Sequence, residues 1–259
     1  MSLLEQKIQE ARAAGRIALI PFVTAGFPTP EAFWNIIREL DDNGADIIEI
    51  GVPFSDPVAD GPVVEEASRR ALARGISLTW IMNGLREHAP RLKAGLVLMG
   101  YFNPFLQYGL ERFAQEAADT GVSGCIVPDL PLDESAAFRD ILKAHKIDLI
   151  ALVGQNTSEA RMREYAAVSG GYVYVVSVLG TTGARDGLPP QVTATLQRAR
   201  KAFSLPLALG FGLRTPEQLD TIPAASRPDA AVFGSALLKH LDSGEPAADF
   251  LRIWTASRC

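Results

Sequence analysis

Eight short apolar runs, each followed by a helical pattern, predict a (β/α)8 barrel, and three observations carry that prediction. The runs Ile17–Val23, Asp46–Ile50, Gly95–Tyr101, Gly124–Val127, Asp148–Val153, Tyr172–Val178, Pro206–Leu209 and Ala230–Phe233 are rich in Ile, Val and Leu. They are apolar throughout rather than alternating, which means burial on both faces, as in a parallel sheet covered by helices. The length of 259 residues suits one such barrel. An open doubly wound sheet would need a glycine-rich dinucleotide fingerprint after its first strand, and none is present. No linker-like change of composition divides the chain, so residues 1–259 are expected to form a single barrel domain.

An amphipathic helix from about Leu3 to Ala14 precedes the first strand. The segments between strands then carry their own start and stop signals. Thr29-Pro30-Glu31 supplies an N-cap, a proline at the first helical position and an early acid; Phe33, Ile36, Ile37 and Leu40 mark one face, and Gly44 closes it. Asp133 is expected to cap a helix whose apolar side holds Ala137, Phe138, Ile141 and Leu142. Thr215-Pro216-Glu217-Gln218 reads as a capping box with proline in the first turn. Further helices fit Val64–Ala73, Leu78–His88, Leu110–Asp119, Ser158–Ser169, Gln191–Ala202 and Ala236–Trp254.

Composition excludes several function classes. With 47 % hydrophobic and 21 % charged residues the chain is an ordinary globular protein with a sizeable core. Its formal net charge of −5 offers no basic footprint for nucleic acid or an anionic membrane. No run is long enough to span a bilayer, and the N-terminus lacks a signal-peptide core. Cys125 and Cys259 read as reduced thiols. The expected setting is cytoplasmic.

One stretch stands out chemically: ADIIEIGVPFSDPVADGP, from Ala45 to Pro62. Glu49 places a carboxylate in an Ile-rich strand, where burial is costly. Asp60 follows in a loop stiffened by prolines. Barrel active sites are built at the C-terminal ends of the strands and in the loops after them, so both acids fall on the catalytic face. Glu49 reads either as a salt-bridge partner in the core or as an acid whose pKa is raised by apolar surroundings for proton transfer. Asp60 reads as a second functional acid or as an Asx-turn. Tyr101 ends the third run, Asp129 follows the fourth, and Tyr174 lies within the sixth, where it reads equally as a packing residue.

Two glycine-rich turns, Gly210-Phe211-Gly212 after the seventh run and Gly234-Ser235 after the eighth, fall where barrels of this kind frequently bind phosphate. The longest loop, Leu179–Pro190, has three glycines and is a candidate lid. The lysines Lys7, Lys93, Lys143, Lys146, Lys201 and Lys239 lie in helices or ahead of strands, away from the strand ends a Schiff-base lysine would need. His88, His145 and His240 show no metal-ligand spacing. The chemistry is therefore expected to be acid–base, with the substrate supplying its own electron sink.

These residues carry a specific match. IPFVTAGFP at the first run, IIEIGVPFSDPVADGP at the second, LVLMGYFNP at the third, IVPDLP at the fourth, YVYVVS with LGTTGAR at the sixth, then GFGLRTPEQ and FGSALL, resemble the tryptophan synthase alpha chain family from end to end. The resemblance implies retro-aldol cleavage of indole-3-glycerol phosphate to indole and glyceraldehyde 3-phosphate without metal or Schiff base. It implies that Glu49 gives and takes the proton, that Asp60 binds the indole N–H, and that Tyr174 is the active-site tyrosine. Phe22, Tyr101 and Phe211 would line the indole pocket; Gly183, Gly212, Gly234 and Ser235 would hold the phosphate; Thr182 would reach from the lid toward Asp60. No cofactor is implied for this chain, pyridoxal phosphate being expected only in a partner beta chain, in an assembly of two alpha and two beta chains. Asp56, Asn103, Pro104, Asp129 and Pro131 match segments that face that partner. The lid departs from the family pattern, with Val178-Leu179-Gly180-Thr181-Thr182 where an arginine and a TGVTG-like run usually stand. That departure leaves two other expectations open: a stand-alone indole-releasing lyase, or a weakly active barrel that mainly activates its partner.

Overall fold

The computed structural model describes residues 1–177, 188–210 and 212–256. Nine parallel strands form one sheet: β1 Ala18–Thr24, β2 Ile47–Gly51, β3 Gly95–Met99, β4 Val122–Ile126, β5 Asp148–Leu149, β6 Ala151–Val153, β7 Val173–Val176, β8 Leu207–Gly210 and β9 Ala230–Phe233. Their order in the sheet is β5-β4-β3-β2-β1-β9-β8-β7-β6. The two ends of that order, β5 and β6, are halves of one predicted strand interrupted at Ile150, whose N–H still donates to the Cys125 carbonyl at 3.0 Å. The sheet therefore comes round on itself as an eight-fold barrel. Burial explains the apolar runs: all of β1, β2, β3, β8 and β9 are buried.

Helix Leu3–Ala13 closes the end of the barrel away from the catalytic loops. Its buried Leu4 lies against Gly95, Gly124 and Gly171. Arg16 holds Asp46 through two hydrogen bonds of 2.6 and 2.5 Å, and Asp46 also accepts from Leu19 N at 2.9 Å, which pins the start of β2 to β1.

The capping signal at Thr29 acts as expected, its side chain accepting from the Ala32 N–H; Ser158, read as the first residue of a helix, instead caps helix Glu159–Ala166 by accepting from the Arg161 N–H. The Thr215–Gln218 capping box is present, but the element it opens is the 3-10 helix Pro216–Thr221. Three expectations are corrected. Asp133 does not cap helix Ala136–Ala144: it lies in a separate 3-10 turn, the cap position falls to Ser135, and the Asp133 carboxylate pairs with Arg161 at 2.6 Å. The segment Ala236–Trp254 is two helices, Ser235–Asp242 and Ala247–Ala256, because Gly244 adopts φ +82° and Pro246 has no N–H to continue the first. The third strand ends at Met99, and Tyr101 precedes an unpredicted helix, Phe102–Tyr108, with Pro104 in its first turn, where a missing N–H does no harm. Among the described residues no helix is long and apolar enough to cross a membrane.

Candidate active site

Parallel pairing sets the geometry. Phe22 of β1 stands opposite Glu49 of β2, and Glu49 opposite Val97 of β3, so these side chains share one layer of the barrel interior. Glu49 is fully buried. Its Oε1 accepts a hydrogen bond of 2.5 Å from the Tyr172 hydroxyl, while Oε2 has no partner among the described residues. Burial pushes the Glu49 carboxyl up to about 8, the Tyr172 hydrogen bond opposing it. Among the described residues Glu49 has no salt-bridge partner: it is a buried acid whose neutral form burial favours, with one oxygen held and the other unpartnered among them.

Tyr172 is the residue that sequence reading missed. It precedes β7 in the run YVYVVS, and its partner is 123 positions away. Only the closure of the barrel brings β2 opposite β7. Tyr174, two residues on and on the same face, is buried, and its pKa is raised well above the ordinary tyrosine value by burial and by the charges of Glu49 and Asp60. A Cβ built on Gly210 would fall 2.1 Å from the Tyr174 hydroxyl, so glycine there lets the phenol lie across β8.

Asp60 sits half-buried on the loop between β2 and helix Pro62–Ala73. Burial pushes its carboxyl up to about 6; the Tyr101 hydroxyl opposes the shift and Glu65 adds to it. Tyr101 is buried, stacks on Phe54 with ring centroids 5.2 Å apart and accepts from Ala59 N at 2.8 Å, which fixes the loop beside Asp60. A pocket between the loop and the barrel mouth is lined by Phe22, Thr24, Asp60, Ser68, Met99 and Tyr101.

On the other side of β1 from β2, Gly234 follows β9 and Ser235 begins helix Ser235–Asp242. A Cβ at Gly234 would come within 3.0 Å of the Phe22 ring, so the bare backbone approaches Phe22 closely. Gly212 lies in the turn after β8. Thr182, Gly183, Phe211 and the altered lid start at Val178–Thr181 lie outside the described residues. Among the described residues, no three His, Cys, Asp or Glu side chains gather as metal ligands would.

A family model described as tryptophan synthase alpha chain matches residues 8–252. The chain belongs to the tryptophan synthase alpha chain family. It is 66 % identical over 253 residues to the alpha chain of Nitratidesulfovibrio vulgaris (strain DP4), covering 98 % of each chain. Among solved structures it superimposes on Mycobacterium tuberculosis tryptophan synthase with a TM-score of 0.87 at 33 % identity, covering 98 % of this chain and 95 % of that one. The chain in a Pyrococcus furiosus tryptophan synthase complex matches with a TM-score of 0.81 at 31 % identity, over 93 % and 97 %. The family's reaction is the cleavage of indole-3-glycerol phosphate, a lyase step of tryptophan biosynthesis.

Proposed function

We propose that Glu49, Asp60 and Tyr174 are the catalytic residues with which this chain cleaves indole-3-glycerol phosphate. The observation that carries this reading is Glu49 itself, fully buried inside the barrel with Oε1 held by the Tyr172 hydroxyl and Oε2 unpartnered among the described residues, so that burial pushes its carboxyl up to about 8. Glu49 delivers its proton to ring carbon C3 while Asp60, ionised, accepts the ring N–H and stabilises the positive charge that develops there. The carboxylate left on Glu49 takes the proton of the adjoining side-chain hydroxyl, the carbon–carbon bond breaks, its electrons return to the ring, and an aldehyde forms. One proton enters and one leaves, so Glu49 ends as it began. No cofactor takes part, because the protonated ring is the electron sink. Phe22 and Tyr101, with Phe211, line the ring site; Gly212, Gly234 and Ser235, with Gly183, hold the phosphate at a helix N-terminus, and Thr182 closes toward Asp60.

Tyr172 is read as the positioning residue of Glu49. Its O–H stabilises the charged form, so Tyr172→Phe should raise the basic limb of the kcat/KM–pH profile and lower kcat/KM by about tenfold. An unchanged basic limb would show that the bond does not tune the acid.

We infer a cytoplasmic protein of one barrel domain, acting with a tryptophan synthase beta chain that carries pyridoxal phosphate, two of each chain in the assembly. The supporting surface lies beside the site: Asp56, Asn103, Asp129 and Pro131 are exposed and Pro104 is half-buried, on the loops that follow β2 and β4 and on helix Phe102–Tyr108 after β3. Asp129 accepts from Phe102 N at 2.8 Å and so ties the unpredicted helix to that face, where Val58 is 87 % and Leu106 50 % exposed. The assay is indole release from indole-3-glycerol phosphate by the purified chain, with and without a beta chain. Release that rises with added beta chain supports the complex; strong release unchanged by it would instead support a stand-alone lyase.

A further inference from the structure

Strand β1 is buried along all seven residues, and Thr24, at its C-terminal end, is the one side chain in it with a polar atom. Thr24 is 1 % exposed, and its Oγ1 has no hydrogen-bond partner among the described residues. Valine would fill the same volume without burying a hydroxyl, so an unpaired hydroxyl here is a standing cost that the unliganded fold does not offset. Thr24 pairs with Gly51, one layer nearer the loops than the Phe22–Glu49 pair, and projects to the same side as Phe22. Gly51 has no side chain to occupy that layer. Thr24 accordingly lines the pocket it shares with Asp60, Ser68 and Tyr101.

The Tyr101 oxygen in this pocket already accepts from Ala59 N. An ionised Asp60 is an acceptor only, and the Thr24 hydroxyl is a donor. We propose that Thr24 is a positioning residue for Asp60: when substrate fills the pocket, its hydroxyl donates to the Asp60 carboxylate and holds it toward the ring N–H. The inference rests on the role given to Asp60 above. The other groups facing that carboxylate are Tyr101, with Asp129 acting through it, Glu65 on helix Pro62–Ala73 and Tyr174 on β7. None of these is a cation and only the Tyr101 hydroxyl favours the ionised form, so a donated hydrogen bond from Thr24 adds to that support.

The test compares kcat and KM for indole release across pH in the wild type, Thr24→Val, Thr24→Ser and Asp60→Asn. Thr24→Val should lower kcat about tenfold at pH 7 and move the acid limb of the kcat profile, which reports the substrate complex, up by about one pH unit, while Thr24→Ser stays within about twofold with its limb unmoved. The substrate phosphate titrates identically with every variant, so the difference between profiles belongs to the protein. An acid limb of Thr24→Val that overlays the wild type, or equal impairment of the Ser and Val variants, would reduce Thr24 to packing and overturn the proposal. Asp60→Asn separates the two readings: if it keeps wild-type kcat/KM, the role of Asp60 itself is wrong, whereas a large loss there beside an unshifted Thr24→Val profile removes only the present inference.

Discussion

Replacing Glu49 with glutamine is expected to lower indole release by on the order of a thousandfold or more, because an amide cannot pass a proton to the ring carbon and take one back. The loss should lie in kcat, with KM for indole-3-glycerol phosphate changing little, since phosphate and ring contacts are made by other residues. The same substitution should stabilise the fold. Glu49 has a folded pKa of about 8 against an ordinary 4.5, so its contribution is undiminished below about pH 4.5 and is lost as pH rises through 8. Glutamine removes that titration, and the variant should gain stability over the wild type on the order of 3 kcal/mol at pH 7, with little difference at pH 4. Thermal melts at the two pH values check this. Retained turnover would refute the proton-shuttle role, and an equal stability difference at both pH values would show that Glu49 is not buried as a neutral acid. Glu49→Asp should also be severe, since shortening the side chain withdraws the acid by about 1 Å from the ring carbon.

Gly234→Asp should raise KM about a hundredfold while changing kcat far less. The new carboxylate would face the substrate phosphate at the start of helix Ser235–Asp242, and like charges brought together in a site are strongly repelled. Gly234 has φ −121°, which an L residue adopts, so the effect is electrostatic rather than a backbone fault. Gly234→Ala is the control: its methyl meets the Phe22 ring at 3.0 Å and should cost only a few-fold. Steady-state kinetics of the two variants side by side decide the matter. An unchanged KM for the aspartate variant would place the phosphate elsewhere.

Most of this molecule could be read from residues in order. The strands were legible because each run is apolar almost throughout, and the helix start at Thr29 because its cap is followed by Pro30 and Glu31. Glu49 was legible as a misfit, an acid among isoleucines. What escaped depends on partners distant in sequence. Tyr172 reads as an ordinary strand aromatic until the barrel closes and sets it against Glu49. Asp133 has cap chemistry, but Arg161, 28 residues on, offers two hydrogen bonds. The strand break at Ile150 leaves no trace in a run of apolar residues, whereas the helix break near Gly244 was written in Gly244 and Pro246 and read past. Thr24 shows the limit most clearly. In a seven-residue buried strand it is an unremarkable β-branched residue, and only a hydroxyl left unpaired beside Asp60 gives it meaning.

The central claim is that two acids eleven positions apart are held in opposite protonation states, Glu49 neutral and Asp60 ionised. The pH dependence of kcat/KM for indole release tests it most directly, since that ratio reports the free enzyme. The account predicts a bell with its acid limb near pH 6, where Asp60 loses its charge, and its basic limb near pH 8, where Glu49 loses its proton. Glu49→Gln should leave no basic limb in the residual rate. A profile that stays level from pH 6 through pH 10 would contradict the assignment of Glu49 as the proton donor.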